Sequence, residues 1–174
     1  SDSSETDTMT VTITVTGAND APDAGSNAVG AVTEDATATT ATGTISATDA
    51  DDSAFTYTGD ATGTYGAIAV ASDGAWTYTL NNADADTTAL DSTDSVTDAF
   101  TMTVSDGDAS DTMTVTITVT GANDAPDAGS NAVGAVTEDA TATTATGTIS
   151  ATDADDSAFT YTGDATGTYG AIAV

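Results

Sequence analysis

Clusters of acidic residues and asparagines are the parts of this sequence that could do chemistry, because their oxygen atoms bind hard cations. The clusters fall at the ends of predicted strands and in two linkers. Ca²⁺ takes six to eight oxygen ligands, and one loop rarely supplies enough, whereas several loops at one end of a domain can do so together with a linker. The clusters are Asn19-Asp20, Glu34-Asp35, Asp49-Ala50-Asp51-Asp52, Asp91 with Asp94, Asp106 with Asp108, and Asn123-Asp124.

The charge of the chain is entirely negative. It has 28 Asp and Glu residues and no Lys, Arg, His or Cys, which gives a formal net charge of -28. The sequence therefore predicts that every carboxylate faces water or a bound metal. Nucleic acid and anionic membrane are excluded as partners of this segment, because binding to either requires basic patches. Without Cys there is no disulfide framework.

The composition also argues against an enzyme. There is no His or Lys to act as a base and no Cys nucleophile, and a Ser without such a partner is unreactive. A glycosidase needs only two carboxylates, but one of them must have a raised pKa in a shaped cleft. The sequence shows no residues that would form the walls of such a cleft, so it predicts a protein without catalytic activity.

An internal repeat dominates the organisation of the chain. Residues 7–70 recur without a single change at 111–174, a spacing of 104 residues. That period is the length of a whole domain and exceeds the 20 to 50 residues of a solenoid turn. The chain is therefore expected to be a segment of a tandem array of nearly identical domains.

Two linkers mark the expected domain edges. They are Gly17–Pro22 and Gly121–Pro126, and each follows a predicted strand and contains a Pro that cannot continue it. The last segment lacks counterparts of Trp76 and Phe100, so we expect it to be unable to close a core of its own. The predicted parts are 1–20, the last strand of a preceding repeat with its linker; 21–124, one complete repeat with its linker; and 125–174, the truncated first half of the next repeat.

The apolar residues alternate with polar ones in short runs. Met113, Val115, Ile117 and Val119, for example, are each separated by a Thr. Such alternation of β-branched and polar residues is typical of half-buried strands, and a disordered acidic chain has no reason to maintain it. The sequence predicts an all-β, immunoglobulin-like sandwich of about seven strands. The predicted strands lie near 28–33, 42–48, 54–58, 65–71, 75–80, 97–104 and 112–120.

Two features around the fifth predicted strand bear on local structure and function. The segment from Ser72 to Ala75 contains Asp-Gly, which suits the positive φ angles of a type I′ hairpin turn. Trp76 and Tyr78 follow it. They could form a platform for a sugar, but their alternation with Thr favours packing in the core.

The order of motifs along the repeat resembles a known family. Gly-x-Asn-Asp-Ala-Pro, Thr-Glu-Asp, Asp-Ala-Asp-Asp, Ser-Asp-Gly-Ala-Trp-Thr-Tyr and Ser-Asp-Gly are similar to the VCBS-type repeats of bacterial RTX adhesins. Those repeats are cadherin-like and immunoglobulin-like extender domains of long surface proteins. Ile45–Asp51 also resembles the Ala-x-Asp-x-Asp strand end of cadherins, and Leu90–Asp94 is similar to their Leu-Asp-Arg-Glu segment.

The resemblance implies Ca²⁺ at each junction between repeats. Because the linker lacks the leading Asp of cadherins and Leu90–Asp94 lacks the Arg and Glu, it also implies fewer ions or more water ligands per junction. The implied ligands at the first junction are Asn19, Asp20, Asp49, Asp51 and Asp106. Those at the second are Glu34, Asp91, Asp94, Asn123, Asp124, Asp153 and Asp155, and Glu138 is the counterpart of Glu34 in the last segment.

The resemblance implies a calcium-rigidified structural extender of a secreted bacterial cell-surface adhesin, exported by a type I-like route without a cleaved N-terminal signal. Its partners would be neighbouring repeats of the same chain, and other domains would reach a distal ligand. Two alternatives stay open. One is a repeated low-affinity module for carbohydrate or protein that acts by avidity. The other is the subunit of a self-assembling extracellular filament.

Overall fold

The predicted all-β sandwich is confirmed in a computed structural model, which describes residues 5–59, 62–163 and 166–174. Residues 1–4 of the first predicted segment lie outside the described residues. None of the described residues belongs to a helix with the length and apolarity needed to cross a membrane. The strands are β1 (Ala28–Thr33), β2 (Thr40–Thr44), β3 (Thr56–Gly59), β4 (Gly66–Val70), β5 (Ala75–Leu80), β6 (Ser95–Ser105), β7 (Ser110–Thr120), β8 (Thr166–Gly167) and β9 (Gly170–Ala171).

The first seven strands form two sheets. One sheet has the order β1-β7-β6-β3 and the other β2-β5-β4. Strand β1 runs parallel to β7, and β6 pairs with β7 along all of its eleven residues. These strand directions place residues 34–39, 62–65, 81–94 and 121–126 at one end, which we call the C-terminal end of the sandwich. Residues 17–27, 45–55, 71–74 and 106–109 lie at the opposite, N-terminal end.

The core lies between the inward faces of the two sheets. On β7, Val115, Ile117 and Val119 are fully buried, while the Thr residues between them lie on the outer face. Strand β5 contributes Trp76 and Tyr78 from the opposite sheet. The period of two in the sequence thus becomes one apolar and one hydroxyl-bearing face per strand.

Charge is almost absent from the strands. In β1 to β7 the only acidic residues are Asp98, which is buried, and Asp111, near the start of β7. The outward faces consist mainly of Thr, Ala and Ser. The other acidic side chains of the described sandwich therefore lie in the connections at its two ends.

Strand β2 begins and ends earlier than predicted. It was expected over 42–48 but spans Thr40–Thr44. The amide of Ile45 donates to the carbonyl of Gly74, and Thr48 pairs with Asp23 in an isolated bridge. The chain therefore leaves β5 at Ile45 to pair with the segment that precedes β1.

The type I′ prediction for the β4–β5 turn is wrong. Gly74 has a φ of 86°, but Ser72 and Asp73 keep negative φ, whereas a type I′ turn needs two positive values. The Gly74 amide donates to the Ala71 carbonyl, and the Ala71 amide donates to Ala75. This pattern is a three-residue hairpin loop in which Gly74 takes the left-handed position. Asp73 stabilises it by accepting a hydrogen bond from the Ala75 amide at 3.1 Å.

Identical sequences have different structures in the two copies. Residues 111–120 lie in β7, whereas residues 7–16 form no strand, and Val11 is 76% exposed while its counterpart Val115 is fully buried. Ile149, in the last segment, is 44% exposed against 3% for Ile45. Strand formation thus depends on neighbouring strands that provide a surface to pack on, not on the alternating sequence alone.

Candidate metal centre

At the C-terminal end, Glu34 connects the sandwich to the second linker. It follows β1 directly, its amide donates to the Thr120 carbonyl at 2.9 Å, and its side chain is buried. Its Oε2 accepts a hydrogen bond from the Ala122 amide at 3.1 Å. Burial raises the pKa of Glu34, the bond from Ala122 opposes the shift, and the negative charge of Asp124 adds to it. Glu34 therefore holds the linker while lying close to other carboxylates.

The same linker is bonded to the segment that follows it. The Asp124 amide donates to Oδ2 of Asp155 at 3.2 Å, and Asp153 accepts a hydrogen bond from the Asp155 amide at 3.3 Å. The Asn123 side-chain amide bonds to the Asp124 carbonyl. The neighbouring Asp153 carboxyl group raises the pKa of Asp155. Carboxylates thus approach the linker from both sides.

The first linker repeats this arrangement at the N-terminal end. The Asp20 amide donates to Oδ1 of Asp51 at 3.3 Å, and Asp49 Oδ1 accepts a hydrogen bond from the Asp51 amide at 3.0 Å. That amide lowers the pKa of Asp49, whereas the neighbouring Asp49 carboxyl group raises the pKa of Asp51. The Asn19 side chain also donates to Asp106 Oδ2 at 3.2 Å. Hydrogen bonds therefore link Asp20 with Asp51 and Asp51 with Asp49, and separately link Asn19 with Asp106.

The residues at both junctions fit a hard cation by donor type. All are carboxylate or amide oxygens, and no Lys, Arg or His is present to neutralise them. Two carboxylate oxygens, Asp49 Oδ2 and Asp155 Oδ1, are shielded from solvent and accept no hydrogen bond. Among the described residues, however, no three or more acidic side chains are grouped closely enough to hold a metal ion. The carboxylates meet as pairs, so a full ligand set would require some of them to reorient.

Asp91 and Asp94 adjoin the second linker through their backbone. The Gly121 amide donates to the Asp94 carbonyl at 3.1 Å. Their carboxylates are used within their own turn, since Asp91 Oδ1 accepts from the Thr93 amide and hydroxyl and Asp94 Oδ2 accepts from the Asp91 amide. The Thr93 hydroxyl lowers the pKa of Asp91. Their roles as metal ligands stay predictions.

Glu138 differs from its counterpart Glu34. It is exposed, whereas Glu34 is 2% exposed, because no described strand pairs with the last segment as β7 pairs with β1. The structure therefore brings no junction partner to Glu138, and its predicted role remains untested.

The expectation that every carboxylate faces water or metal is wrong for Asp98. This residue is buried and accepts hydrogen bonds from the amides of Thr64 and Tyr65 at 2.8 and 3.1 Å and from the hydroxyl of Tyr78 at 2.8 Å. Three internal donors replace the water that its carboxylate would otherwise bind. A signal for it exists in the sequence, since Asp98 occupies an inward position two residues before Phe100.

Trp76 and Tyr78 are core residues, as their alternation with Thr in the sequence predicted. Trp76 is 3% exposed, Tyr78 is fully buried, and the ring of Tyr78 lies 5.8 Å from that of Phe100. A sugar platform formed by these two side chains is therefore excluded in this fold.

Comparison with known proteins adds one family and several distant structures. The family of the bacterial cadherin-like domain matches residues 19–121. A crystal structure of human CDH23 EC21-23 is 16% identical, with a TM-score of 0.43, and the alignment covers 79% of this chain and 47% of that one. The endo-fucoidan hydrolase MfFcnA4 from glycoside hydrolase family 107 is 22% identical, with a TM-score of 0.40, over 63% of this chain and 15% of that one.

The chain thus spans less than half the length of either structure. No curated protein sequence matches it. The family match extends over more than half of the chain and includes all seven strands of the sandwich. The chain belongs to the bacterial cadherin-like domain family.

Proposed function

We propose that this chain is a segment of a calcium-rigidified structural extender, built from VCBS-type repeats, in a secreted bacterial cell-surface adhesin. The extender holds a distal ligand-binding domain away from the cell. Membership of the bacterial cadherin-like family supports an extracellular adhesion-type module as the general class. The partners of each repeat are its neighbours in the same chain, and other domains of the adhesin bind the distal ligand.

One observation carries this proposal: the second linker is hydrogen-bonded to carboxylates on both sides. Ala122 donates to Glu34 of the preceding sandwich, and Asp124 donates to Asp155 of the following segment. The chain contains no cationic side chain, so repulsion between these carboxylates has no internal compensation. A cation bound between these carboxylates would relieve their repulsion and so change the geometry of the junction.

The residues suited to hold Ca²⁺ are the acidic and amide side chains that border each linker. Bound Ca²⁺ would supply the positive charge that these carboxylates lack and fix the two domains to a common point. Each independent site filled at 100 times its Kd would add about 2.7 kcal/mol to the stability of the folded state. The sets are Asn19, Asp20, Asp49, Asp51 and Asp106 at the first linker, and Glu34, Asn123, Asp124, Asp153 and Asp155 at the second.

Export to the cell surface follows from the same proposal. The absence of Cys suits a chain stabilised by metal in place of disulfides outside the cell. We propose a type I-like secretion route. Tracking an epitope-tagged full-length protein in cells that lack the corresponding exporter tests this part, and unchanged surface display in those cells would contradict it.

Small-angle X-ray scattering of a protein with several tandem repeats tests the rigidity. In Ca²⁺ we expect a maximum dimension close to the summed domain lengths with a narrow distribution, and in chelator a shorter and broader one. Changing Asn123 and Asp124 to Ala in every linker should abolish this difference without unfolding the domains. A matched control changes Asp84 and Asp86, which lie in the β5–β6 connection, in the same way. A wild-type profile that is independent of Ca²⁺ while the domains stay folded would refute the proposal.

A further inference from the structure

A groove at the C-terminal end of the sandwich plays no part in the junction just described. It lies between the β3–β4 and β5–β6 connections and has a volume of about 360 Å³. Its lining includes Thr62, Tyr65, Thr79, Asn81 and Asp84. None of these five residues belongs to the proposed calcium ligands.

The wall formed by residues 62–66 is held in place by the buried carboxylate of Asp98. The carboxylate accepts hydrogen bonds from the amides of Thr64 and Tyr65. The α-carbon of Gly63 approaches it so closely that a β-carbon would clash with the carboxylate carbon at 2.5 Å. Burying a carboxylate is costly unless it is fully hydrogen-bonded. Asp98 thus helps to fix the segment that contains Gly63 and Gly66, and a prearranged wall lowers the entropic cost of binding.

Several polar groups in the groove remain available to a ligand. Oδ1 of Asp84 accepts a hydrogen bond from the Asp86 amide, and Oδ1 of Asn81 accepts one from the Ala83 amide. Asp84 Oδ2 and the Asn81 side-chain nitrogen form no hydrogen bond with any described residue. The hydroxyl of Thr79 lies on the exposed outer face of β5. Donors and acceptors of Thr79, Asn81 and Asp84 therefore line the same groove.

Tyr65 gives the groove an aromatic component. It is half-buried, packs against the core and also lines the groove. An aromatic side chain beside a carboxylate, an amide and a hydroxyl suits a ligand with one apolar face and many hydroxyl groups. Without any cation in the chain, sulfated or uronic sugars would meet only repulsion.

We propose that this groove binds a neutral sugar unit of an oligosaccharide, with Asp98 as the positioning residue of the Thr62–Gly66 wall. The site does not depend on the extender function proposed above. Because the sequence repeats every 104 residues, an array would carry one such groove per complete domain. Weak individual sites would then combine into useful avidity.

Nuclear magnetic resonance titration of the 174-residue chain with neutral trisaccharides of glucose, mannose, galactose and N-acetylglucosamine tests the site. At least one sugar should produce saturable shifts in the amide signals of residues 62–67 and 79–84. An alginate trimer and a lysine-rich peptide serve as charged comparisons. If none of the neutral sugars shifts these signals, or if only the peptide does, the proposal is wrong.

Two isosteric variants separate binding from folding. Thr79→Val removes one hydroxyl from the groove, and we expect about tenfold weaker binding, which is the loss of one hydrogen bond. Thr77→Val makes the same change two residues earlier on the same outer face, outside the groove lining. It should leave affinity unchanged. Equal affinities for the two variants would overturn the assignment of the groove, whatever their stability.

Discussion

The phenol oxygen of Tyr78 lies 2.8 Å from Oδ2 of Asp98, and this hydrogen bond joins the two sheets inside the core. Tyr78 lies in β5 of one sheet and Asp98 in β6 of the other, and both are buried. Burial, together with the hydrogen bond to Asp98 and its charge, raises the pKa of Tyr78 well above its usual range. The phenol therefore remains a donor at all ordinary pH values.

Removing either partner should destabilise the sandwich, but not equally. Tyr78→Phe loses one hydrogen bond to a charged group, at a cost of about 1.5 to 3 kcal/mol, and leaves Asp98 with two backbone donors. Asp98→Ala leaves the buried hydroxyl of Tyr78 and the partly buried amides of Thr64 and Tyr65 without their acceptor, and should cost roughly 3 kcal/mol or more. Urea unfolding measures both. Thr77→Ala, on the exposed face of β5, is the control and should shift stability by about 0.5 kcal/mol at most. If Asp98→Ala resembled this control, the proposed role of the buried carboxylate would be disproved.

Two aspartates in loops at the N-terminal end should respond differently to Ca²⁺. Asp51 bonds the first linker, whereas Asp73 accepts a hydrogen bond within the β4–β5 turn. Asp51→Ala should remove the part of the Ca²⁺-dependent rise in melting temperature that comes from the first junction and have little effect in chelator. Asp73→Ala should lower the melting temperature by a few degrees in both conditions. Calorimetry decides between them, and equal losses for Asp51→Ala in Ca²⁺ and chelator would mean that Asp51 binds no ion.

The stability of the metal-free chain should have a maximum in mildly acidic solution. The folded state raises the pKa of Glu34 above its ordinary value of 4.5, so it binds this proton more tightly than the unfolded chain does. Stability should therefore increase as pH falls from neutral toward 4.5. The pKa values of Asp49, Asp106 and Asp111 are lowered from 3.8, so the stability that these carboxylates provide should be lost as pH falls below 3.8.

Melting temperatures measured in chelator across this range test the sign of the effect. Glu34→Gln, which keeps the shape of the side chain but cannot ionise, should reduce the rise on the neutral side, to which Asp51 and Asp155 also contribute, and leave the acid side unchanged. A melting temperature that falls steadily from neutral pH would contradict the effect assigned to Glu34.

Hydrogen exchange of backbone amides should distinguish two segments that have the same sequence but different structures. In the 174-residue chain, amides of 111–120 lie in β7 between β1 and β6, whereas those of 7–16 have no strand partner. We expect strong protection of the first set and almost none of the second. The measurement requires nuclear magnetic resonance, because peptides from the two copies have the same mass. Equal protection in both copies would show that residues 7–16 have found another strand to pair with.

The alternation of residues predicted most of the strands, because burial on one face imposes a period of two on any half-exposed sheet. It predicted β1 and β5 with their observed bounds, whereas β6 and β7 are each longer than predicted. Val11 and Val115 lie in identical local sequences, yet only Val115 is buried in a strand. This pair shows the limit of the reasoning, because local sequence cannot specify whether a strand such as β6 is available to pair with. The same limit applies to the partial strands of the last segment.

Contacts within the candidate metal centre were predictable from the sequence where the residues are close in sequence and lie in one loop. Asp49 and Asp51 meet because a tight turn brings the Asp51 amide to the Asp49 carboxylate. The three bonds of Asp98 and the bond from Ala24 to Asp111 join residues that are 20 to 87 positions apart. Such pairs depend on how the sheets are stacked, which the period of the sequence does not encode.

The restriction of charge to the ends of the sandwich gives any array of these domains a banded surface potential. Strand β7 is uncharged from Thr112 to Thr120, so neutral faces extend for about 31 Å between successive acidic bands. The Debye length at physiological ionic strength is about 8 Å, so each band is electrostatically isolated from the next. Two such fibres lying side by side would repel each other when their bands are level and would approach more easily when shifted by half a repeat. The charge pattern therefore sets a preferred stagger between neighbouring fibres, independently of any specific contact between them.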